Sequence, residues 1–285
     1  MTHEKQVLIA VLAHPDDESF GMGGTLALYA SRGVEVHLIC ATRGEVGDVA
    51  PEYLEGYSSI ADRRESELRC AAGILGLAGV HFLDYRDSGM PGAQANSHPQ
   101  ALAAQPLDEV AAKVVRYMRE LRPQVVLTFD PIGGYRHPDH IAIQRATVRA
   151  FEQAGNPNFT TDCPPTDPPQ RLYFHVFPHG FLKVLVRLMP LIGKDPHRWG
   201  SNGDIDMTSI AEVSFPTNAR IDIRPVLKQK QEAGACHASQ GGGRMGGGLT
   251  SWILGLFNRT ETFMRAAPPP AKGEKVEHDL FASVN

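Results

Sequence analysis

An apolar run that ends abruptly in charged residues constrains this chain more than any other feature. Residues 6–12 read Gln-Val-Leu-Ile-Ala-Val-Leu, which is typical of a parallel strand covered on both faces. Ala-His-Pro-Asp-Asp-Glu follows directly at 13–18. Burying an imidazole and three carboxylates is costly unless these groups meet partners or a metal ion. The run therefore predicts a functional site at the carboxyl end of a buried strand.

A second strand-like run ends in the same way. Residues 124–129 read Gln-Val-Val-Leu-Thr-Phe and lead into Gly-Tyr-Arg-His-Pro-Asp-His at 134–140. In an open parallel sheet, functional sites lie beyond the carboxyl ends of the strands. We therefore expect the two polar segments to meet at one edge of the sheet. Together they contain the side chains that a metal-dependent hydrolase uses.

Strands and helices alternate through the first half of the chain. The apolar patterns predict strands at 6–12, 34–40, 80–83 and 124–129 and helices at 21–30, 61–75, 107–121 and 141–153. Such alternation is typical of a parallel sheet with helices on both faces. We therefore predict an α/β fold, a Rossmann-like three-layer domain with a mostly parallel sheet.

The second half of the chain is less regular. Residues 156–170 are rich in proline and predict a loop, whereas 171–177 is strand-like and 224–238 is helical. We expect one domain over 1–265, in which 156–209 is a variable lid or insertion. Its apolar stretch 181–192 favours core packing or a subunit contact over a membrane anchor, so a homo-oligomer remains open. A C-terminal tail is expected over 266–285.

Charge and hydropathy argue against several classes of function. The formal net charge of −4 gives no electrostatic case for a nucleic-acid partner, because such proteins usually carry a basic surface. No stretch reaches the roughly 18 apolar residues of a membrane span, so no transmembrane segment is expected. The chain also begins without a signal-peptide pattern. These features predict a cytoplasmic protein.

The cysteine pattern indicates neither a zinc ribbon nor a disulfide framework. The four cysteines, at 40, 70, 163 and 236, are scattered and contain no Cys-x-x-Cys pair. In a cytosolic protein of this length, the expectation is reduced and mostly buried thiols.

The two polar segments contain a candidate set of metal ligands. His14 and Asp17 lie three residues apart at the exit of one strand, and His140 lies at the matching exit of another. Two imidazoles and one carboxylate are common in catalytic zinc sites, where they leave a position for water. The same set suits Fe²⁺ or another divalent metal. We predict Zn²⁺ as the cofactor, with Fe²⁺ as the alternative.

Neighbouring residues are suited to handle protons. Asp16 lies beside a predicted ligand, where a carboxylate can act as general base toward water. His137 can stabilise an oxyanion or donate a proton to a leaving amine. Asp139 is expected to orient His137 and raise its pKa, as a neighbouring anion does. Whether one residue or two transfer the protons stays open.

The segments at 13–18 and 137–140 resemble the two signature motifs of the PIG-L/LmbE family of metal-dependent N-deacetylases, in the right order and each after a strand. The family includes de-N-acetylases of GlcNAc-phosphatidylinositol and of mycothiol and bacillithiol precursors. The resemblance covers roughly residues 6–155 and continues weakly through 228–240. It implies hydrolysis of an N-acetyl or other N-acyl group from an amino sugar or GlcNAc conjugate, which is a small-molecule substrate.

The resemblance also implies roles for individual residues. The implied metal ligands are His14, Asp17 and His140, and the implied proton-handling residues are Asp16, His137 and Asp139. Tyr135 looks like the mobile tyrosine that polarises the substrate carbonyl in this family. Arg64, Glu45 and His237 are implied as substrate-binding residues. Packing and surface roles for Tyr135 and Arg64 remain open alternatives.

Three other functions stay in competition with deacetylation. An amidase acting on a larger acyl group would use the same residues. A binding protein could keep the fold and metal without turnover, although Asp16 and His137 would then have no purpose. A phosphoesterase more often assembles two metals bridged by a carboxylate. Dinucleotide binding is disfavoured because glycines 21, 23 and 24 do not form the expected fingerprint.

Overall fold

A seven-stranded sheet organises the computed structural model, which describes residues 5–177, 179–198, 203, 206–242, 259–282 and 284. The strand order is β3-β2-β1-β4-β5-β7-β6. The strands are β1 (Val7–Leu12), β2 (Glu35–Cys40), β3 (Gly79–Phe82), β4 (Val125–Phe129), β5 (Arg171–His175), β6 (Ala219–Asp222) and β7 (Thr260–Ala267). The first five pair in parallel, and β7 runs antiparallel to both β5 and β6. The predicted α/β fold with a mostly parallel sheet is therefore confirmed.

The central strand β1 explains the continuous apolar run at the start of the chain. All six of its residues are buried, because β2 and β4 flank it and helices pack nearby. Leu8 to Ala10 lie opposite Val125 to Leu127 of β4. This register brings the segments that follow β1 and β4 to the same edge of the sheet.

Eight α-helices lie within the described residues. They are α1 (Gly23–Ser31), α2 (Ile60–Leu75), α3 (Leu107–Leu121), α4 (Gly133–Arg136), α5 (Pro138–Gln153), α6 (His179–Leu188), α7 (Met207–Ala211) and α8 (Leu227–Cys236). Helix α3 packs on α5, whereas α1, α2 and α8 pack on one another. A π-helical turn over Glu18–Met22 precedes α1.

Capping residues set the limits of the helices that carry the site. Helix α2 begins after Ser59, whose side chain accepts a hydrogen bond from the Asp62 amide, and ends at Gly76 with a φ of 73°. Helix α5 begins at Pro138, a residue suited to the first helical position, with His137 as its N-cap. The second polar segment is therefore a strand-to-helix junction, three residues earlier than the predicted helix start.

The less regular half contains two features that bear on the predictions. In the predicted lid, Val184, Leu188 and Leu191 of α6 and the following 3₁₀ turn expose 54%, 49% and 79% of their surface. The stretch expected to be a C-terminal tail is exposed over residues 268–276, but Leu280 and Phe281 near its end are buried. Within the described residues, no helix combines the length and the apolarity needed to cross a bilayer.

The expectation of four reduced cysteines is wrong for two of them. Cys70 of α2 and Cys236 of α8 form a disulfide, with their Cα atoms 6.0 Å apart. Cys40 and Cys163 are free. The sequence could not reveal this pair because 166 residues separate the two cysteines, and their approach depends on the packing of α2 on α8.

Candidate metal centre and active site

Three side chains predicted as metal ligands converge at the edge where β1 and β4 end. His14 Nδ1 lies 3.2 Å from His140 Nε2. Asp17 Oδ2 lies 3.6 Å from His14 Nδ1, and Asp17 Oδ1 lies 3.3 Å from His140 Nε2. The three side chains are almost fully buried. Two ring nitrogens and one carboxylate therefore surround a single point.

The hydrogen bonds of the two histidines direct a lone pair toward that point. His14 Nε2 lies 3.1 Å from Asp139 Oδ2, so this nitrogen carries the proton and donates it. His140 Nδ1 lies 3.2 Å from the Gly133 carbonyl oxygen and donates to it. In the neutral rings, His14 Nδ1 and His140 Nε2 are then unprotonated. Both of these nitrogens face Asp17, as metal ligation requires.

The charges around the centre favour a cation. Burial alone would lower the pKa of His14, but the carboxylates of Asp87, Asp139 and Asp17 outweigh it and raise that pKa well above its usual value. Burial would raise the pKa of Asp17, yet His140 and His14 hold it well below its usual range. Burial lowers the pKa of His140 to about 4, which leaves this ring neutral at neutral pH. The carboxylates that favour a proton on His14 Nδ1 equally favour a metal ion in its place, so the donor set fits a divalent ion.

Two other groupings of potential ligands share His14. His137 also lies near His14 and His140, and Asp87 and Asp139 lie on the far side of the His14 ring. His137 Nδ1 accepts the Asp139 amide at 3.2 Å, so the neutral ring carries its proton on Nε2 and offers a donor instead of a lone pair. On the other side, His14 Nε2 carries a proton and cannot bind a metal ion beside Asp87 and Asp139. Asp17 is therefore a better third ligand with His14 and His140 than His137 is.

Asp16 has a strained backbone and a carboxyl group whose pKa is raised. Its φ of 121° is rare for a residue other than glycine, and such strain concentrates at functional sites. Its amide donates to Glu18 Oε2 at 3.0 Å, and its Oδ2 accepts Arg64 Nη2 at 3.0 Å. Burial raises the pKa of Asp16 to about 6, against the opposing effect of Arg64. A carboxylate with this pKa can accept a proton from water.

Arg64 joins two loops around the site, the one after β1 and the one after β2. Besides Asp16, its guanidinium donates to the Pro15 carbonyl at 2.7 Å and to the Gly44 carbonyl at 2.9 Å. Gly44 has a φ of 64°, and a Cβ there would lie 2.1 Å from Arg64 Nη1, which explains the glycine. The buried Nε of Arg64 has no hydrogen-bond partner. A substrate contact by Arg64 stays a prediction.

Asp139 contacts a different partner from the predicted one. Its carboxylate binds His14 Nε2, the Ser88 amide at 2.9 Å and the Ser88 hydroxyl. Only the backbone amide of Asp139 reaches His137. Burial lowers the pKa of His137 to about 2, so the expected rise does not occur. The reason is geometric, since the helix start turns the carboxylate away from the residue that caps it.

Tyr135 and His137 border the candidate metal centre. The His137 ring centroid lies 4.6 Å from that of His14, and the Tyr135 centroid lies 4.9 Å from that of His140. Burial raises the pKa of the Tyr135 hydroxyl, so it remains protonated. Both side chains can thus donate a hydrogen bond at neutral pH.

His237 and Glu45 lie behind the residues that face the centre. His237 is fully buried, and its Nε2 lies 2.7 Å from Glu18 Oε1. Glu45 Oε1 accepts the Asp87 amide at 3.1 Å, while Glu45 also lines a cavity of about 430 Å³. The structure places both as supports of other site residues, and their predicted contact with substrate stays a prediction.

Asp87 is a site residue that the sequence reasoning missed. Its Oδ1 lies 3.5 Å from His14 Nε2, and its carboxylate is nearly buried. It follows β3, so it lies at the same carboxyl edge of the sheet as the two recognised segments. The polar run Tyr-Arg-Asp-Ser at 85–88 after the third predicted strand was the available signal.

Comparison with known proteins gives consistent matches. Residues 9–151 match the PIG-L family, described as GlcNAc-PI de-N-acetylase. A 1D-myo-inositol 2-acetamido-2-deoxy-alpha-D-glucopyranoside deacetylase of Geodermatophilus obscurus is 36% identical over 249 residues, which covers 84% of each chain. The enzyme of that name from Rhodococcus erythropolis is 34% identical over the whole of both chains. The solved structure of N,N'-diacetylchitobiose deacetylase from Pyrococcus horikoshii has a TM-score of 0.61 at 20% identity and covers 92% of this chain and 84% of that one.

Proposed function

Since this chain belongs to the PIG-L family of GlcNAc-PI de-N-acetylases, we propose that its substrate is a GlcNAc conjugate whose sugar is joined to a polyol such as inositol. The chain is an N-deacetylase, so the reaction splits an acetamide with water into acetate and a free amine. Relatives named for a GlcNAc-inositol substrate match nearly the full length of the chain, which supports this substrate class.

We propose that His14, Asp17 and His140 hold one divalent ion, Zn²⁺, in the active enzyme. The observation that carries this assignment is the convergence of their ligand atoms within 3.2–3.6 Å, with both histidine lone pairs directed inward. When bound, such an ion lowers the pKa of water and polarises a carbonyl group. Fe²⁺ suits the same ligands and is the alternative.

The surrounding residues supply the proton transfers and the oxyanion contacts in this proposal. Asp16 accepts the proton of the attacking water while Arg64 holds its carboxylate in place. The Nε2 proton of His137 and the Tyr135 hydroxyl stabilise the negative charge that develops on the amide oxygen. Asp16 then returns its proton to the leaving nitrogen. His137 stays neutral throughout these steps, because it only donates a hydrogen bond from Nε2.

The function is tested by measuring free-amine release from metal-loaded protein on GlcNAc, GlcNAc-inositol, GlcNAc-malate and chitobiose. We expect the highest kcat/KM for GlcNAc-inositol. Preference for another member of the panel would overturn the polyol assignment while leaving deacetylation intact. No release from any of the four would favour the metal-binding protein without turnover.

Asp16→Asn tests the base assignment. Loss of a general base lowers turnover by about 10²–10⁴-fold, and the amide retains the shape and the contact with Arg64. Metal content should remain at the wild-type value. Asp167→Asn is the matched control, because the same change is made at an exposed residue. Wild-type turnover in Asp16→Asn would show that another group takes the proton.

A further inference from the structure

The disulfide links two helices that each carry part of the active-site support. Cys70 lies in the last two turns of α2, and Cys236 is the final residue of α8. Cys70 is exposed and Cys236 is half-buried, so the pair is within reach of solvent. Nothing in the proposed reaction uses this bond, although residues on either side of it contact the site.

On the α2 side, the cysteine shares its helix with Arg64 and Glu67. Arg64 lies six residues before Cys70 and holds Asp16 together with the Pro15 and Gly44 carbonyls. Glu67 lies three residues before Cys70 and is buried. A shift of α2 relative to its neighbours would therefore move the guanidinium that positions the proposed base.

On the α8 side, the cysteine directly precedes His237. The His237 ring lies 2.7 Å from Glu18 Oε1, and Glu18 accepts the Asp16 amide through its other oxygen. Two residues further on, Ser239 donates its amide at 2.9 Å and its hydroxyl at 2.6 Å to Glu67. The segment after α8 thus contacts both the Asp16 loop and α2.

Two routes of contacts therefore connect the disulfide to the proposed base Asp16. One runs through Arg64 of α2, and the other runs through His237 and Glu18. We propose that the Cys70–Cys236 disulfide positions Asp16 by clamping these two routes together, and that reducing it lowers deacetylation reversibly. This inference rests on the proposed function. The cysteines are positioning residues, since neither touches Asp16 itself.

The redox step is a two-electron thiol–disulfide exchange. A thiol reductant attacks one sulfur as thiolate and releases the other, and a second thiol completes the reduction. The two cysteines gain two electrons and two protons, while two reductant thiols join in a new disulfide. In the laboratory a water-soluble phosphine supplies the electrons instead, with water providing oxygen for the phosphine oxide. Exposed disulfides are the ones that exchange most readily.

The first measurement counts thiols in denatured protein. Four cysteines with one disulfide leave two reactive thiols, Cys40 and Cys163, and phosphine treatment should raise the number to four. Four thiols in protein purified without reductant and exposed to air would overturn the proposal, because the clamp would not be closed.

The second measurement compares kcat/KM before and after phosphine treatment at 25 °C. If Asp16 is no longer held in position, kcat/KM should fall by about 10-fold or more. Reoxidation of the disulfide should restore it. The Cys70→Ser/Cys236→Ser variant should show the reduced value and no response to phosphine. A response in that variant would overturn the proposal, since it would trace the effect to metal removal. Cys163→Ser is the matched control and should respond like wild type.

A readout independent of turnover separates positioning from simple stabilisation. Opening a disulfide lowers the melting temperature in either case and speeds every amide that exchanges by global unfolding, but only loss of the clamp accelerates hydrogen exchange of the Ser239 amide relative to the amides of the core strand β1. Faster exchange together with lower kcat supports the proposal, and unchanged exchange or unchanged kcat overturns it. If no substrate is turned over in any state, the proposed function fails, whereas the exchange result still decides whether the clamp exists.

Discussion

At the scale of single residues, the identity of the site depends on where two histidines carry their protons. His14 donates from Nε2 to Asp139, and His140 donates from Nδ1 to the Gly133 carbonyl. Each hydrogen bond places the ring proton on the nitrogen that points away from Asp17. The other nitrogen of each ring, His14 Nδ1 or His140 Nε2, then has a lone pair for a metal ion. The residue types were readable from the sequence, but the partner of Asp139 was not, because it depends on how the α5 start faces the end of β1.

Asp139→Asn should weaken metal binding by about 10–100-fold, because the variant loses the anion that fixes the His14 ring and raises its basicity. The measurement is a metal competition titration against a chelator of known affinity. Ser88→Ala is the control, since it removes only the second contact of the same carboxylate and should cost less. Equal affinity in Asp139→Asn and wild type would contradict the assigned role of the carboxylate.

His175 at the end of β5 should make stability depend on pH. Burial lowers its pKa to about 4, against a usual value near 6.5. As pH falls below about 6.5 the unfolded chain binds this proton, but the folded protein does not until about pH 4, so stability falls across that window. His175→Gln should flatten the decline by up to about 1.4 kcal/mol per pH unit. Urea unfolding at several pH values measures how the unfolding free energy changes with pH. The same pH dependence in His175→Gln and wild type would contradict the interpretation.

At the scale of elements, the second motif acts as a helix start. His137 caps α5, Pro138 occupies its first turn, and His140 follows on the first turn with its side chain at the end of β4. The spacing between the two histidines therefore follows from helix geometry. The sequence predicted the strand and the helix but began the helix too late, since Pro138 was not recognised as its first residue.

Arg119 of α3 stabilises the loop that follows α5. It is buried and donates to the carbonyls of residues 154, 156, 159 and 163 and to the Thr161 hydroxyl. Arg119→Met should cost about 1–3 kcal/mol of unfolding free energy, because one buried and several part-buried acceptors lose their donor. Arg116→Met, an exposed change on the same helix, is the control for urea unfolding. Equal stability of the two variants would contradict this account.

At the scale of the whole molecule, the order of parallel strands decides which distant segments meet. The alternation of strands and helices predicted the sheet, and the rule about carboxyl ends predicted that the segments after β1 and β4 would converge. The antiparallel β6–β7 pair and the disulfide were not predictable in this way. They depend on contacts between segments that are distant in sequence, such as α2 and α8, and neither sequence indicates which segment it packs against.

The most direct test of the account is a crystal structure of metal-loaded protein with anomalous scattering measured at the zinc absorption edge. We predict one peak per chain, surrounded by His14 Nδ1, the Asp17 carboxylate and His140 Nε2, with zinc–nitrogen distances of about 2.0–2.1 Å. A peak on the opposite side of the His14 ring, beside Asp87 and Asp139, would contradict the proton positions and ligand assignment from which the proposed reaction follows.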